Sequence, residues 1–517
     1  MDKINILWVD DEIELLKPHI LFLEHKGYNV NISNNGADAL DMVRNQPYDI
    51  VFLDEQMPGL SGIETLEQMK VEFPSLPVVM ITKSEEETIM EEAIGSKISD
   101  YLIKPVNPKQ ILLSLKKNLE NKKLVSEKTT SQYQQAFSRL SMMISDRLDH
   151  EEWIDVYKRL IRWELELEKS SDSSIKEILI MQKLEANRVF AKFIENNYYD
   201  WINGNVENRP NLSHTLLKDK LFPKLNGGKP VFLILIDNLR YDQWKVIQPI
   251  LEDNFRVTND SLFFSILPTV TQYARNAIFS GLMPLEIERK YPQYWVGEDD
   301  EGTKNKYEDK LLDEYLKRYG KNIKSSYTKV LTLNVGKKLV ENLPNMMGND
   351  LNVIVYNFVD MLSHARTEME IIRELADDEP AYRSLTLSWF EHSPLKDIFN
   401  FIAEKKADVI ITTDHGSVKV SDPVKVLGDR NTNTNLRYKT GKALKYNRKD
   451  VYAVQNPDDI YLPKTNISSS YIFCKKNDFF AYPNNYNYYV NYYKNTFQHG
   501  GISMEEVMIP YIELKAK

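Results

Sequence analysis

The sequence predicts an α/β multidomain protein with a helical stretch in its middle. Residues 4–121 and the segment from Lys229 onward both alternate short apolar runs with amphipathic stretches. That alternation is the pattern of parallel sheets covered by helices. Between them, residues 108–203 carry no strand pattern, and no proline occurs between Pro108 and Pro210. In order, this gives a flavodoxin-like, doubly wound domain over 1–121, a helical bundle connector over 122–205, and a large α/β domain over 206–517.

Length and composition agree. A chain of 517 residues has room for about three domains with buried cores. The net charge of -9 argues against a protein that coats nucleic acid or anionic membrane with its whole surface. Apolar runs such as "VFLILI" (231–236) have strand length and fall short of a span of ~20 residues, so a membrane protein is not expected. The N-terminus "MDKINILWVDDE" lacks the apolar stretch of a signal peptide. Cys474 is the sole cysteine, so no intrachain disulfide can form and a cytoplasmic location is expected.

In the first domain, "INILWVD", "YNVNIS", "DIVFLD", "PVVMIT" and "DYLIKP" read as strands, with a first helix over Leu15–Lys26. Ligands of such folds sit beyond the carboxyl ends of the strands. Those ends carry Asp10, Asp11, Asp54, Thr82 and Lys104. Converging carboxylates repel unless a cation joins them, and oxygen ligands favour Mg²⁺. A carboxylate beside Mg²⁺ is a competent nucleophile for a phosphoryl group. Lys104 would pair with the added phosphate and Thr82 would hydrogen-bond it. The motifs "VDDE" (9–12), "LDEQMPGLSG" (53–62), "MIT" (80–82) and "YLIKP" (101–105) resemble those of a response-regulator receiver domain. The resemblance implies that a sensor histidine kinase phosphorylates Asp54. It also implies that Asp11, Asp54 and the Gln56 carbonyl hold Mg²⁺, that Asp10 assists through water, and that Thr82 and Tyr101 form a switch pair.

In the connector, apolar residues recur at helical spacing, as in Trp153, Val156, Tyr157, Leu160 and Ile161. Three or four amphipathic helices are expected, with a break at "SSDSS" (170–174). The segment reads as a spacer or as a relay and dimerisation element. It shows no helix-turn-helix and no basic recognition helix, so a DNA-binding output is not expected.

The large domain carries three apolar runs that read as buried strands, each delivering an aspartate at its carboxyl end. "VFLILID" (231–237) reaches Asp237, "LNVIVYNFVD" (351–360) reaches Asp360, and "ADVIITTDHG" (407–416) reaches Asp414-His415. His364 follows Asp360 by four residues, and His499 precedes a last strand-like run, "EVMIPYIEL". Three Asp and three His suit two Zn²⁺-like ions. Thr271, in "LPTVTQYARNAIFSG" (267–281), stands at a turn entering a helix whose N-terminus favours an anion. Zinc would lower the pKa of its hydroxyl and make it a nucleophile toward phosphorus.

The order of these residues resembles that of the alkaline phosphatase superfamily. "LIDNLRYD" (235–242) and "VDMLSHAR" (359–366) are similar to the PglZ subfamily. The resemblance places Asp237, Thr271, Asp414 and His415 on one ion and Asp360, His364 and His499 on the other. A receiver, a helical connector and a PglZ-type domain together resemble the PorX-type response regulators of the type IX secretion system in Bacteroidota. This implies a cytoplasmic regulator of that export pathway, acting with a sigma factor and a secretion-machine subunit. Phosphorylation is expected to produce a homodimer.

Two segments bear on the substrate. "RNTNTNLRYKTGKALKYNRK" (430–449) has seven Lys or Arg and no acid. Arg430, Arg437, Lys439, Lys442 and Lys445 are candidates to grip a phosphate chain, against the reading of a solvated basic loop. "YPNNYNYYVNYYKNTF" (482–497) offers tyrosines on which bases could stack, or a strand pair with half of them buried. The leading expectation is a zinc-dependent phosphodiesterase acting on linear or cyclic oligonucleotides through Thr271. The alternatives are a phosphorylation-dependent scaffold with structural metals, and a phosphatase or phosphomutase.

Overall fold

Buried strands must pair every backbone N–H and C=O, and the apolar runs do so in two main sheets. A computed structural model describes residues 4–74, 76–83, 98–169, 173–225, 228–298, 300–369, 378–429, 432–464 and 466–517. The chain divides into two compact units, residues 1–134 with 169–172, and residues 135–168 with 173–517.

In the first unit, strands β1 (Asn5–Val9), β2 (Asn29–Ser33), β3 (Ile50–Asp54), β4 (Val78–Thr82) and β5 (Asp100–Ile103) form one parallel sheet in the order β2-β1-β3-β4-β5. This is the flavodoxin-like order. Alternate side chains serve two cores: Leu7, Val9, Val51 and Leu53 face one, and Ile6, Trp8, Ile50 and Phe52 the other. Helix Lys17–His25 is preceded by a single 3-10 turn at Ile13–Leu16, so the regular helix starts later than the periodicity suggests. Helix Gly62–Glu72 is fixed at its start by Ser61 and Glu64, which cap each other's backbone. A Cβ at Gly62 would lie 2.2 Å from the Asp54 carbonyl, so this glycine lets the helix approach the strand end that carries Asp54. Helix Pro108–Ser145 follows β5.

The second unit is built on strands β6 (Val231–Ile236), β7 (Phe255–Phe264), β8 (Ser325–Val330), β9 (Leu351–Tyr356) and β10 (Asp408–Thr412). Its smaller strands are β11 (Val418–Lys419), β12 (Asp422–Lys425), β13 (Tyr438–Gly441), β14 (Val451–Val454), β15 (Ser470–Cys474), β16 (Asp478–Ala481) and β17 (Phe497–Gln498). The last strand is β18 (Met508–Ala516). The main sheet runs β7-β18-β10-β6-β9-β8, with β10, β6, β9 and β8 parallel. β6, β9 and β10 therefore open at one end of the sheet, where a ligand site belongs. The run "LNVIVYNFVD" is not one strand. β9 stops at Tyr356, and Asp360 sits in the first turn of helix Phe358–Glu368, where a carboxylate favours the helix N-terminus.

Helices His150–Glu168 and Ser173–Asn203 belong to this second unit. Their aromatic faces pack on the end of β7. Trp153 and Phe190 meet at 5.3 Å between ring centroids, and Trp201 meets Phe264 edge-on at 5.6 Å. Tyr198 accepts a hydrogen bond of 2.8 Å from the Leu267 N–H, which holds the loop leading to Thr271. Charge ties the same helices down. Arg383 reaches Glu164 at 2.7 Å and Asp242 at 2.9 Å, and Asp242 pairs at 2.5 Å with Arg240, just beyond Asp237.

The tyrosine-rich segment is not a strand pair. Tyr486–Tyr493 is a helix with no buried residue. Tyr488 stacks on Tyr492 and Tyr489 on Tyr493, each at 6.2 Å, so ring pairs one turn apart support the helix. Among the described residues, no helix is long and apolar enough to cross a membrane.

One half-buried histidine makes this unit sensitive to acid. His214 lies next to Ser213, which accepts the Ile266 N–H. Burial, and then the nearby Arg209 charge, push its pKa from 6.5 down to about 4. Between those values the unfolded chain takes up a proton that the folded chain refuses, so stability falls as pH drops below 6.5. The loss reaches roughly 3 kcal/mol near pH 4. Thermal unfolding followed from pH 7 to pH 4 is expected to show a shallower decline for His214→Leu than for the unaltered chain.

Candidate active site and receiver acid pocket

In the first unit, β1 and β3 deliver Asp10 and Asp54 to one end of the sheet. Oxygens of Asp10, Asp11 and Asp54 lie within 4.8 Å of one another. Lys104 Nζ stands 2.8 Å from Asp10 and 2.7 Å from Asp54. Burial raises the Asp54 pKa to about 6 against the Lys104 hydrogen bond, and the Asp10 charge adds to the rise. One cation against three carboxylates leaves net negative charge, which suits a divalent ion. Thr82 donates to Glu55 at 2.8 Å, and Tyr101 on β5 is 38% exposed. Gln56 lies two residues past the end of β3.

In the second unit, all seven expected residues converge. Ligand atoms of Asp237, Asp414 and His415 fall within 4.8 Å of one another, as do those of Asp360, His415 and His499. His415 thus stands between the two groups, although its order in the chain pointed to one ion alone. Thr271, the first residue of helix Thr271–Ser280, places Oγ1 3.3 Å from Asp237 and 3.1 Å from His415 Nε2. His364 Nε2 is 3.5 Å from Asp360 Oδ2, one helical turn away, with its side chain 61% exposed. His499 Nε2 is 3.6 Å from Asp360 Oδ1.

Backbone carbonyls orient the two inner imidazoles. His415 Nδ1 lies 3.1 Å from the Gly416 oxygen and His499 Nδ1 lies 3.3 Å from the Thr269 oxygen. A carbonyl only accepts, so each Nδ1 carries the proton and each Nε2 keeps an unprotonated lone pair beside the acids, free for an electrophile. Burial lowers both histidines, which keeps the rings neutral. Burial raises Asp414 well above the usual carboxylate range, with the Asp237 charge adding to it, and lifts Asp360 to about 6. Asp414 Oδ2 is buried and accepts no hydrogen bond from the described residues. An orphaned carboxylate oxygen facing neutral imidazole lone pairs is the donor set of a zinc-type ion.

Several residues that the sequence reading did not single out hold this arrangement. Arg275 Nη1 contacts Asp237 Oδ2 at 2.9 Å while its Nε contacts Glu308 at 2.6 Å. Burial works to raise Asp237, but Arg275 and then His415 hold it below the usual range. Arg275 follows Thr271 by four residues, so helical periodicity was its available signal. Asn238 has φ +62°, and from that turn its N–H reaches Asp414 and its amide reaches Asp360, each at 3.4 Å. Asparagine tolerates the left-handed region better than most residues. A Cβ at Gly416 would lie 2.0 Å from the Glu505 carbonyl, so only glycine fits behind His415.

The basic segment departs from expectation. Arg437 is buried and holds Glu506 at 2.5 Å, while Glu506 accepts the Gly501 N–H at 2.8 Å. It braces the loop of His499 and cannot grip substrate. Lys439 is buried too, donating to the Asn433 oxygen at 2.8 Å, and burial lowers its pKa to about 8. Lys442 and Lys445 are exposed, and the Lys445 backbone pairs with Leu427. Arg430 lies outside the described residues. Local charge density marked this run, but burial of two of its cations was settled by tertiary packing.

Removing the guanidinium of Arg437 would strand Glu506 as a buried, unpaired charge. Arg437→Met is therefore expected to cost about 3–5 kcal/mol in urea unfolding, while Lys442→Ala leaves the midpoint unchanged.

Comparison with known proteins gives three family matches. The response regulator receiver domain matches residues 6–116, the PorX response regulator linker domain 123–202, and the BREX system PglZ alkaline phosphatase-like domain 216–514. Among curated relatives, the transcriptional regulatory protein ZraR of Klebsiella oxytoca is 36% identical over 25% of this chain and 29% of its own length. The alginate biosynthesis transcriptional regulatory protein AlgB of Pseudomonas syringae is 35% identical over 23% of this chain and 27% of its own length. The transcriptional regulatory protein ResD of Bacillus subtilis is 33% identical over 22% of this chain and 49% of its own length. The chain thus spans half or less of the length of these relatives. A solved receiver domain from Methanospirillum hungatei JF-1 is 27% identical over 23% of this chain and 96% of that one, with a TM-score of 0.23. Matched by its family model over more than half of its length, and joined through a PorX-type linker to an N-terminal receiver, the chain belongs to the PglZ alkaline phosphatase-like family as the output domain of a response regulator.

Proposed function

We propose that this response regulator hydrolyses phosphodiesters at a two-zinc site and that its substrates are linear or cyclic oligonucleotides. The observation that carries this reading is the position of Thr271 Oγ1, 3.3 Å from Asp237 and 3.1 Å from His415 at the start of a ten-residue helix. Asp237, Asp414, His415 and Thr271 would hold one ion, and Asp360, His364 and His499 the other. Bound Zn²⁺ would supply Lewis acidity at the phosphate and favour the Thr271 alkoxide. Thr271 Oγ attacks phosphorus, the P–O bond to the leaving alcohol breaks, and that alcohol takes up a proton. Water then displaces Thr271 from phosphorus and releases the monoester. The amide groups at the helix N-terminus orient the non-bridging oxygens.

A diester is favoured over a monoester because it carries less charge. Arg275, the cation that the described residues place against the acid set, is already engaged by Asp237 and Glu308. In the receiver, Asp11, Asp54 and the Gln56 carbonyl would hold Mg²⁺, with Asp10 beside them, while Asp54 accepts the phosphoryl group. Thr82 would turn from Glu55 to the new phosphate, and Tyr101 would follow. The PorX-type linker supports a cytoplasmic role in regulating type IX secretion, with a sigma factor and a secretion subunit as partners and with dimerisation on phosphorylation.

The test is hydrolysis of a chromogenic phosphodiester beside the matching monoester, with zinc added. Thr271→Ala is expected to lose about 10³-fold or more of diester turnover, and a chelator should abolish it. Equal turnover by the variant would overturn the nucleophile, and monoester preference would overturn the substrate class.

A further inference from the structure

A second surface of the PglZ unit has no part in this chemistry. A groove of about 750 Å³ runs between helix Ser173–Asn203 and strand β14. Its walls carry six cations, Arg188, Lys192, Arg448, Lys449, Lys475 and Lys476, against one acid, Glu195. Glu195 is taken by Lys475 at 2.8 Å. Arg188 pairs with Glu185 at 2.6 Å, and Lys476 faces the charges of Asp478 and Glu185, while Lys192, Arg448 and Lys449 form no ion pair among the described residues. In a chain of net charge -9 this is a strong local inversion, and close like charges repel unless an anion joins them. Arg448 and Lys449 come from the same basic run that was expected to serve the active site.

The groove has a second property. β14 is an edge strand, since the small sheet runs β13-β15-β14 and β14 pairs with β15 alone. No other hydrogen bond of its backbone is found among the described residues. Val451, Tyr452 and Ala453 of this strand line the groove beside the cations. An unpaired edge accepts an added strand, whose main chain bonds to it while alternate side chains point to one side. The surface offers little to single-stranded nucleic acid, which needs aromatic platforms. The one ring in the groove, Tyr452, is packed against Phe473 at 5.9 Å.

We propose that the groove binds an extended acidic peptide of a partner protein, added as a strand to β14 with carboxylates at alternate positions against the cations. The site is independent of the hydrolytic reading and would stand if that reading failed.

Fluorescence polarisation of the full chain with a labelled peptide of alternating Glu and Val tests this. Saturable binding is expected. The double variant Lys192→Glu/Lys449→Glu should weaken it about tenfold, with diester turnover unchanged. Should that variant misfold, Lys192→Gln/Lys449→Gln is expected to weaken binding in the same direction. A peptide N-methylated along its backbone, with its charges intact, should bind no better than the charge-reversed protein allows. Absence of saturable binding, equal binding of the N-methylated peptide, or tighter binding of an oligothymidylate of equal charge would overturn the proposal.

Discussion

Two buried carboxylates and a third, half-buried one at one end of a sheet are the constraint on which the second unit depends. Asp237, Asp360 and Asp414 repel one another in a medium that screens poorly. The fold answers with fixed partners on one side of the cluster and leaves the other side to neutral imidazoles. Arg275 takes the outer oxygen of Asp237 and is itself balanced by Glu308. Asn238 lends an N–H to Asp414 and an amide to Asp360. The remaining oxygens are held in place with their charge unmet, which is the state in which a divalent cation binds most strongly.

The same logic runs outward through the domain. Glu506 fixes the loop of His499, and Arg437 fixes Glu506. Arg240 and Asp242, just past Asp237, are tied through Arg383 to Glu164 of the helical stretch. Each buried ion pair contributes little net stability by itself, but losing one partner is costly. Such pairs set position more than they add stability, and position is what a metal centre requires.

Much of this was legible in the residues. Strands that are buried on both faces read as unbroken apolar runs, so β6 and β10 and the acids beyond them stood out. The seven site residues could be placed in order because each lies at an element end or one helical turn from another. What was not legible depended on depth. Arg437 and Lys439 look like their exposed neighbours in sequence, and tertiary partners bury them, Glu506 and the Lys475 carbonyl for Arg437 and the Asn433 carbonyl for Lys439. The tyrosine segment misled for a related reason: tyrosine suits strands by propensity, yet rings four residues apart stack equally well on a helix. Asp360 was read as ending a strand because a strand and the first turn of a helix share an apolar run.

The hydrogen bond from the Leu267 N–H to Tyr198 has a consequence for modularity. The helix that carries Tyr198 supports the approach to Thr271, so the linker is part of the architecture that holds the candidate site. A recombination event, or an engineer, that exchanges input domains must cut upstream of the helical stretch. Cut there, the output domain keeps its scaffold, and the receiver becomes the exchangeable part.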